Sequence, residues 1–283
     1  MKTTKELQVI ATQVRRDILR MTTNAKSGHP GGSMGTADWM TAMQFNIMKH
    51  DPKNFTMEGN GQDMLFVSQG HITPVIYSTM ARVGYFPVEE LKTFRLFGTR
   101  LQGHPSTEHK LPGIRMASGS LGQGMSVGIG AALGKKMTGD DTLVYTLHGD
   151  GELQEGQIWE AAMFAGAKGI DNLISTIDFN NQQIDGTTEQ VMNLGSLRSK
   201  FESFLWTVVE IEDGNDMQKV LDGMEKAKSL TGKGKPVCVI LKTQMGYGVD
   251  FMQDTNKYHG AVLSADDLQK ALPQLGETEL GDF

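Results

Sequence analysis

The chain has 283 residues, and its 27 lysines and arginines against 33 aspartates and glutamates give a formal net charge of −6. This acidic balance argues against nucleic-acid binding through a clustered positive surface. No apolar run is long enough to span a membrane, no apolar core follows the polar N-terminus, and the lone Cys238 excludes an internal disulfide. We therefore expect a globular, cytoplasmic protein that binds neither nucleic acid nor membrane.

The first predicted element is an amphipathic helix over 5–24, where apolar residues recur at helical spacing. Thr3 and Glu6 stand at the spacing of a capping box at its start. A loop rich in glycine is predicted over 27–33, and a second helix is predicted near 36–49. The N-terminal part of the chain is therefore expected to be helical with one glycine-rich interruption.

A short apolar run at 64–67 is followed by Gly70-His71. A helix is predicted next, over 73–83. Residues 98–124 are rich in glycine and show little periodicity, which predicts a long ordered loop that enters a helix near 123–137. Loops of this length inside compact domains are usually functional.

In the middle of the chain, the residue pattern predicts a strand at 143–147, a helix at 156–168 and a strand at 173–177. Together these three elements have the size of one βαβ unit. Further strands are predicted at 206–211 and 237–241, with helices near 215–229 and 264–272. This alternation predicts an α/β fold, a mostly parallel sheet with helices on both faces. We expect one domain over 1–272, followed by an acidic C-terminal tail over 273–283.

Gly149-Asp150-Gly151 follows the first strand of the βαβ unit, and Asn180 follows the second. The carboxyl ends of parallel strands meet at one edge of a sheet, so Asp150 and Asn180 are expected to lie together. A carboxylate and an amide oxygen suit Mg²⁺ completed by phosphate oxygens and water. A lone Gly-Asp-Gly is more simply a turn, but the spacing and the second oxygen ligand favour a metal–diphosphate site.

This pair of motifs resembles the thiamine-diphosphate and magnesium motif, and further motifs resemble transketolase in that family's order. They are Ser27-Gly28-His29-Pro30-Gly31, Gly70-His71, Gly103-His104-Pro105, Leu121-Gly122-Gln123-Gly124, Gly149-Asp150-Gly151-Glu152-Leu153-Gln154-Glu155-Gly156, Ile184-Asp185-Gly186, Lys242-Thr243, Gly246-Tyr247-Gly248 and His259-Gly260. The resemblance covers roughly 5–272. It implies the thiamin diphosphate-binding fold, with this chain as the diphosphate-binding domain.

The resemblance then stops, because a full-length transketolase continues with a pyrimidine-binding domain and a third domain. Those domains supply the glutamate that activates the cofactor and several arginines that bind sugar phosphates. The resemblance therefore implies the N-terminal subunit of a split transketolase, a transferase of the cytoplasmic pentose phosphate pathway. It would move a two-carbon ketol unit from a ketose phosphate to an aldose phosphate, only together with a separate C-terminal subunit, in an α2β2 heterotetramer.

The resemblance also implies the roles of single residues. The metal, Mg²⁺ or Ca²⁺ or Mn²⁺ in its place, would be held by Asp150, Asn180 and the backbone carbonyl of Gln182. Residues expected to contact thiamine diphosphate are His71, Gly119, Leu121, Gly149, Asp150, Gly151, Asn180 and Ile184. Residues expected to act in catalysis are His29, His71, His104, His259 and Glu155.

Four of the seven histidines lie in glycine-flanked family motifs, although a lone histidine is more often structural. Imidazoles titrate near neutrality and suit the proton transfers of ketol transfer. Glu155 either complements the start of a helix or joins a carboxylate network that reaches the activating glutamate of the partner. His148 stands where the family usually has an apolar residue, and we interpret it as a buried, hydrogen-bonded histidine rather than a diphosphate contact.

Three alternatives stay open from the sequence. The chain could serve another thiamine-diphosphate activity, such as 1-deoxyxylulose-5-phosphate synthesis or a 2-oxoacid dehydrogenase component. It could also be a non-catalytic scaffold that only binds the cofactor, although the metal ligands and histidines are all present. A dinucleotide-binding protein is disfavoured, because no Gly-x-Gly-x-x-Gly joins the first strand and helix of a βαβ unit.

Overall fold

The computed structural model describes residues 1–283 and is built around a five-stranded sheet. The strands of this sheet are β1 (Met64–Val67), β2 (Val144–Gly149), β3 (Leu173–Phe179), β6 (Thr207–Ile211) and β7 (Val237–Lys242), and β4 (Gln182–Gln183) and β5 (Gly186–Thr187) form a small antiparallel hairpin. The strand order is β1-β2-β3-β7-β6, and every neighbouring pair is parallel. The predicted parallel sheet is therefore confirmed.

Helices cover both faces of the sheet. They are α1 (Thr4–Ala25), α2 (Pro30–Gly35), α3 (Ala37–Ala42), α4 (Thr73–Val83), α5 (Gly124–Thr138), α6 (Gly156–Ala167), α7 (Thr188–Met192), α8 (Leu197–Ser203), α9 (Met217–Ser229), α10 (Lys257–Gly260) and α11 (Ala265–Leu275). One core contains apolar side chains of α1, α3, α4 and α9, and the other contains those of α5, α6 and α8. None of the helices combines the length and the apolar character that crossing a membrane requires.

The central strands consist of consecutive buried residues because helices cover both faces of the sheet. All six residues of β2 are buried, and so are the first six of β3. Tyr145 packs in the core with α1, whereas its neighbour Val144 packs in the core with α5. Successive side chains thus join the two helical layers to one sheet, and the carboxyl ends of β1, β2 and β3 emerge at the same edge.

The first predicted helix is confirmed, including its capping box: Thr3 Oγ1 accepts from the backbone of Glu6, whose carboxylate accepts from the backbone of Thr3. The loop predicted over 27–33 is wrong for its second half, because α2 begins at Pro30. Proline at the first helical position needs no N–H donor there. A Cβ on Gly31 would lie 2.7 Å from the carbonyl oxygen of Tyr258, so the glycines of α2 allow a close tertiary contact.

Other departures are local. The second predicted helix is divided into α3 and a π-helical turn, Met43–Ile47. The β4–β5 hairpin and the short helices α7, α8 and α10 were not predicted, because elements this short have too few residues for a periodic pattern.

The C-terminal segment after α11 folds back onto α1. Asp282 accepts hydrogen bonds from Arg16 at 2.8 and 2.9 Å and from Gln13 at 2.9 Å, and Arg20 donates to the carbonyl oxygen of Phe283 at 2.6 Å. The last helix also runs three residues beyond its predicted end, to Leu275. The division at 272 stays a prediction, and the acidic tail beyond it is anchored by arginines.

Two glycines of α5 give a matched test of this packing. A Cβ on Gly128 would meet Thr146 Cγ2 of β2 closer than two carbon atoms pack, whereas a Cβ on Gly130 would meet nothing within 4 Å. We predict that Gly128→Ala lowers the free energy of unfolding by about 1–3 kcal/mol through overpacking. Gly130→Ala should raise it by up to about 1 kcal/mol through helix propensity.

Urea unfolding of both variants and of the unmodified chain measures these changes. The close packing of α5 on β2 is contradicted if the two substitutions change stability in the same direction by similar amounts.

Candidate active site

A cleft of about 370 Å³ opens at the carboxyl edge of the sheet. It brings together every predicted site residue: His29, His71, His104, Gly119, Leu121, Gly149, Asp150, Gly151, Glu155, Asn180, Gln182, Ile184 and His259. The remaining lining residues are Gly32, Gln69, Glu152, Gln154, Gln183 and Met245. No lysine or arginine is among them, so the cleft itself offers no permanent positive charge.

Asp150 stands directly after β2 with only 1% of its surface exposed. One carboxylate oxygen accepts from the backbone N–H of Gly151 at 2.8 Å, and the other accepts from that of Asn181 at 2.6 Å. Burial, and next the nearby Asp178, raise the pKa of Asp150 to about 8. A cation beside this carboxylate would offset the free-energy cost of burying its negative charge.

Asp178, at the end of β3, orients the predicted ligand Asn180. It is fully buried, and burial raises its pKa to about 6. Its Oδ2 accepts from Asn180 Nδ2 at 3.0 Å, and its Oδ1 accepts from Thr243 Oγ1. The amide nitrogen of Asn180 is thus committed to Asp178, while its Oδ1 accepts from the backbone N–H of Gln182 at 2.9 Å.

The donor set fits the expected metal. No group of three His, Cys, Asp or Glu side chains lies together that could hold a metal ion by itself. Asp150, Asn180 and Gln182 offer oxygen donors with a single carboxylate, which leaves coordination positions for phosphate oxygens and water. These residues therefore fit a magnesium ion shared with a diphosphate, and the ligand assignment stays a prediction.

Four histidines from four separate segments of the chain meet on the other side of the cleft. The ring centroid of His29 lies 5.1 Å from that of His71, 5.7 Å from that of His259 and 6.3 Å from that of His104. His71 and His259 are 5.1 Å apart. The Nδ1 atoms of His29 and His259 are buried without a hydrogen-bond partner, which is uncommon for buried polar atoms.

This cluster is held in its neutral form. Burial, and next His259, lower the pKa of His29 to about 4. Burial also lowers the pKa of His71 well below its usual range and lowers the pKa of His259. For His104, burial and then the guanidinium of Arg95 lower the pKa. Neutral imidazoles can both donate and accept protons, which is what a proton-transfer site requires.

The remaining predicted residues lie around the cleft. Gly119 packs so close to His104 that a Cβ there would be 3.2 Å from its ring. The carbonyl oxygen of Leu121 accepts from Gln157 Nε2 at 3.0 Å, which ties the loop before α5 to α6. Glu155 is exposed at the start of α6 and makes no side-chain cap. Ile184 is 63% exposed in the β4–β5 turn, an apolar side chain at the open rim.

His148, a residue of β2, is buried as expected, and its Nε2 is hydrogen-bonded to Thr146 Oγ1 at 2.9 Å. It does not line the cleft. Two acidic residues were missed: Asp178, and the cleft-lining Glu152. The run of acidic residues after Gly149 could have indicated Glu152, whereas Asp178 gave no signal beyond its position at a strand end.

Comparison with known proteins places this cleft in context. The profile of the family described as "Transketolase, thiamine diphosphate binding domain" matches residues 7–281. A 6-deoxy-6-sulfo-D-fructose transketolase subunit of Clostridium sp. (strain MSTE9) is 38% identical over 270 residues, which is 95% of this chain and 96% of the relative. An apulose-4-phosphate transketolase subunit of Phocaeicola vulgatus is 36% identical over 271 residues, 96% of this chain and 94% of the relative.

Solved structures agree with the sequence relatives. A transketolase from Pichia stipitis, in complex with sedoheptulose-7-phosphate, superposes with a TM-score of 0.89 and 32% identity over 99% of this chain and 42% of that protein. The Campylobacter jejuni transketolase gives 0.88 and 33% over 98% of this chain and 44% of that protein. The chain thus spans less than half of these solved proteins but nearly all of the two subunits named above.

The buried histidine cluster predicts a pH dependence. We expect the imidazole of His29 to titrate near pH 4, because burial and neighbouring charges penalise its protonated form. Its folded-state pKa lies below the ordinary value of 6.5, so the unfolded chain binds more protons between these values. Its contribution to stability is therefore complete above pH 6.5 and is lost as the pH falls towards 4.

A ¹⁵N-detected NMR titration of the histidines measures the pKa directly, and urea unfolding between pH 7 and pH 4 measures its effect on stability. His29→Gln is the matched variant and should lose less stability over that interval. A His29 resonance that titrates near pH 6.5 would contradict the expectation.

Proposed function

The chain belongs to the transketolase family, as its thiamine diphosphate binding domain, and we propose that it is the N-terminal subunit of a two-chain transketolase. The observation that carries the proposal is the single cleft that gathers the buried Asp150, Asn180 and four neutral histidines. The relatives of matching length are named as transketolase subunits, which supports a separate partner chain. Their names also favour ketol transfer over the rival thiamine-diphosphate activities.

The side of the cleft that contains Asp150, Asn180 and Gln182, here called the acidic side, would hold the cofactor. Asp150, the Asn180 side chain and the Gln182 carbonyl would bind Mg²⁺, and Gly149 and Gly151 would let the backbone approach the diphosphate. Thiamine diphosphate, when bound, supplies a carbon nucleophile and the ring that stabilises negative charge as a carbon–carbon bond of the ketose breaks.

The opposite side, which contains the four clustered histidines and is here called the histidine side, would bind and deprotonate the sugar. A neutral imidazole can accept the proton of the donor hydroxyl whose oxygen becomes the aldehyde, and it can return a proton to the acceptor carbonyl oxygen. His29 and His259 both line the cleft, and we assign this work to their imidazoles. His71 and His104 would orient sugar or cofactor groups from the adjacent loops.

The distal anion of the sugar would be bound elsewhere. The two relatives are named for sulfofructose and apulose-4-phosphate, sugars that carry an anionic group. The cleft lining holds no lysine or arginine, so the partner chain would supply the cations, together with the activating glutamate that Glu155 would face. An α2β2 heterotetramer, a cytoplasmic location and a role in the pentose phosphate pathway remain parts of this proposal.

We predict that the isolated chain, supplied with thiamine diphosphate and Mg²⁺, shows no ketol transfer. Addition of the C-terminal subunit should restore turnover, because the activating glutamate and the phosphate-binding residues then complete the site. The measurement is a coupled assay with ketose phosphate and aldose phosphate, with and without the candidate partner. Robust turnover by the chain alone would overturn the two-chain proposal.

The metal assignment gives a second prediction. Asp150→Ala should abolish Mg²⁺-dependent binding of thiamine diphosphate to the assembled complex, because it removes the only carboxylate among the proposed ligands. Isothermal titration calorimetry with and without chelator measures this binding. Asp141→Ala, which removes an exposed carboxylate outside the cleft, is the control and should bind normally. Undiminished binding by the Asp150 variant would remove this ligand from the site.

A further inference from the structure

Glu152 is a buried carboxylate in a cleft that is proposed to receive an anionic diphosphate. It lies two residues after Asp150 and is 3% exposed. A negative charge at this place would repel phosphate oxygens and would cost free energy to bury unless its own chain satisfied it. Its role must therefore lie in the groups that it binds within the protein.

Both carboxylate oxygens of Glu152 accept hydrogen bonds from the chain itself. Oε1 accepts from the backbone N–H of Gly122 at 2.7 Å and from the hydroxyl of Ser68. Oε2 accepts from the backbone N–H of Gly149 at 3.1 Å. Ser68 Oγ in turn accepts from the backbone N–H of Gly124 at 2.9 Å, which extends the network to the first residue of α5.

These donors belong to three segments that each carry predicted cofactor contacts. Ser68 is the first residue after β1 and begins the segment that leads to His71, and Gly122 directly follows Leu121. Gly149 directly precedes Asp150. The close approach of Ser68 to the loop before α5 needs glycine, since a Cβ on Gly124 would overlap the side chain of Ser68. One side chain thus joins the ends of β1 and β2 to the loop before α5.

His148 lies behind this carboxylate. Its side chain is fully buried, and Nδ1 has no hydrogen-bond partner but lies 3.6 Å from Glu152 Oε1. Its other nitrogen is held by Thr146, whose hydroxyl is bonded to that of Ser175. The imidazole is thereby fixed within the sheet, with its free nitrogen towards the carboxylate.

We propose that Glu152 is a positioning residue, which holds the three cofactor-binding segments in register, and that His148 is its buried partner. Only the identity of the cofactor rests on the proposed function. The hydrogen-bonded frame itself is a property of this chain and can be tested without any ligand.

The test is amide hydrogen exchange on the isolated chain. In Glu152→Gln the carboxamide keeps one acceptor oxygen, and its NH₂ group faces the N–H donor on the other side. Exchange at Gly122 or at Gly149, whichever faces the NH₂ group, should therefore rise by about tenfold, while exchange in β3 and β7 stays unchanged. Glu189→Gln, an exposed carboxylate outside the cleft, is the control. Unchanged protection at both glycines in the Glu152 variant would overturn the proposal.

Ser68→Ala keeps the carboxylate and serves if Glu152→Gln fails to fold. It should speed exchange at Gly124, which loses its acceptor, and leave Gly149 protected. Loss of protection at all these sites to the same extent would mean general loosening and would overturn the specific network.

The partnership with His148 is tested by a double-mutant cycle in urea unfolding. His148→Leu and Glu152→Gln together should depart from additivity by about tenfold in the unfolding equilibrium constant. Strict additivity would remove His148 from the proposal.

Calorimetry with thiamine diphosphate and Mg²⁺ then links the frame to the cofactor, and Glu152→Gln should bind about tenfold more weakly than the unmodified protein. Equal affinity would overturn the positioning role. If the unmodified complex binds no thiamine diphosphate at all, the proposed function fails, while the exchange experiment still decides the role of Glu152.

Discussion

Three carboxylates are buried side by side at the carboxyl edge of the sheet, and the geometry of the cleft depends on how each is satisfied. Asp150 accepts two backbone N–H groups, Asp178 accepts from Asn180 and Thr243, and Glu152 accepts from three separate segments. A buried charge without such donors would cost several kcal/mol. The loops must therefore converge here, and this convergence shapes the cleft before any ligand binds.

The cleft divides into two chemically distinct sides. The acidic side offers oxygen ligands and a buried negative charge that a divalent cation would offset. The other side consists of imidazoles that burial keeps neutral. No lysine or arginine lines either side, so the lining itself offers no counter-charge to a ligand with an anionic group. The proposed partner chain would supply this counter-charge, and the relatives of matching length are named as transketolase subunits.

The sequence predicted the sheet and its long helices because these elements repeat a pattern over enough residues to be read. The helix over 73–83 was predicted with the bounds that α4 has. Prediction failed where tertiary contact overrides local preference. The glycines of α2 disfavour a helix in isolation, yet the helix forms because Gly31 lets it approach Tyr258. The β4–β5 hairpin has two residues in each strand, too few for any periodicity.

The sequence by itself determined that Asp150 and Asn180 meet, because each follows a parallel strand and such strands end at a common edge. Family motifs placed the histidines in the same cleft. Only the tertiary structure decided how these residues are held. Glu152 binds Ser68, 84 positions away, and Gly122, 30 positions away, and no spacing rule links such distant segments. The reason is physical: buried polar atoms take whichever donors the packed fold brings near, and that proximity exists only after folding.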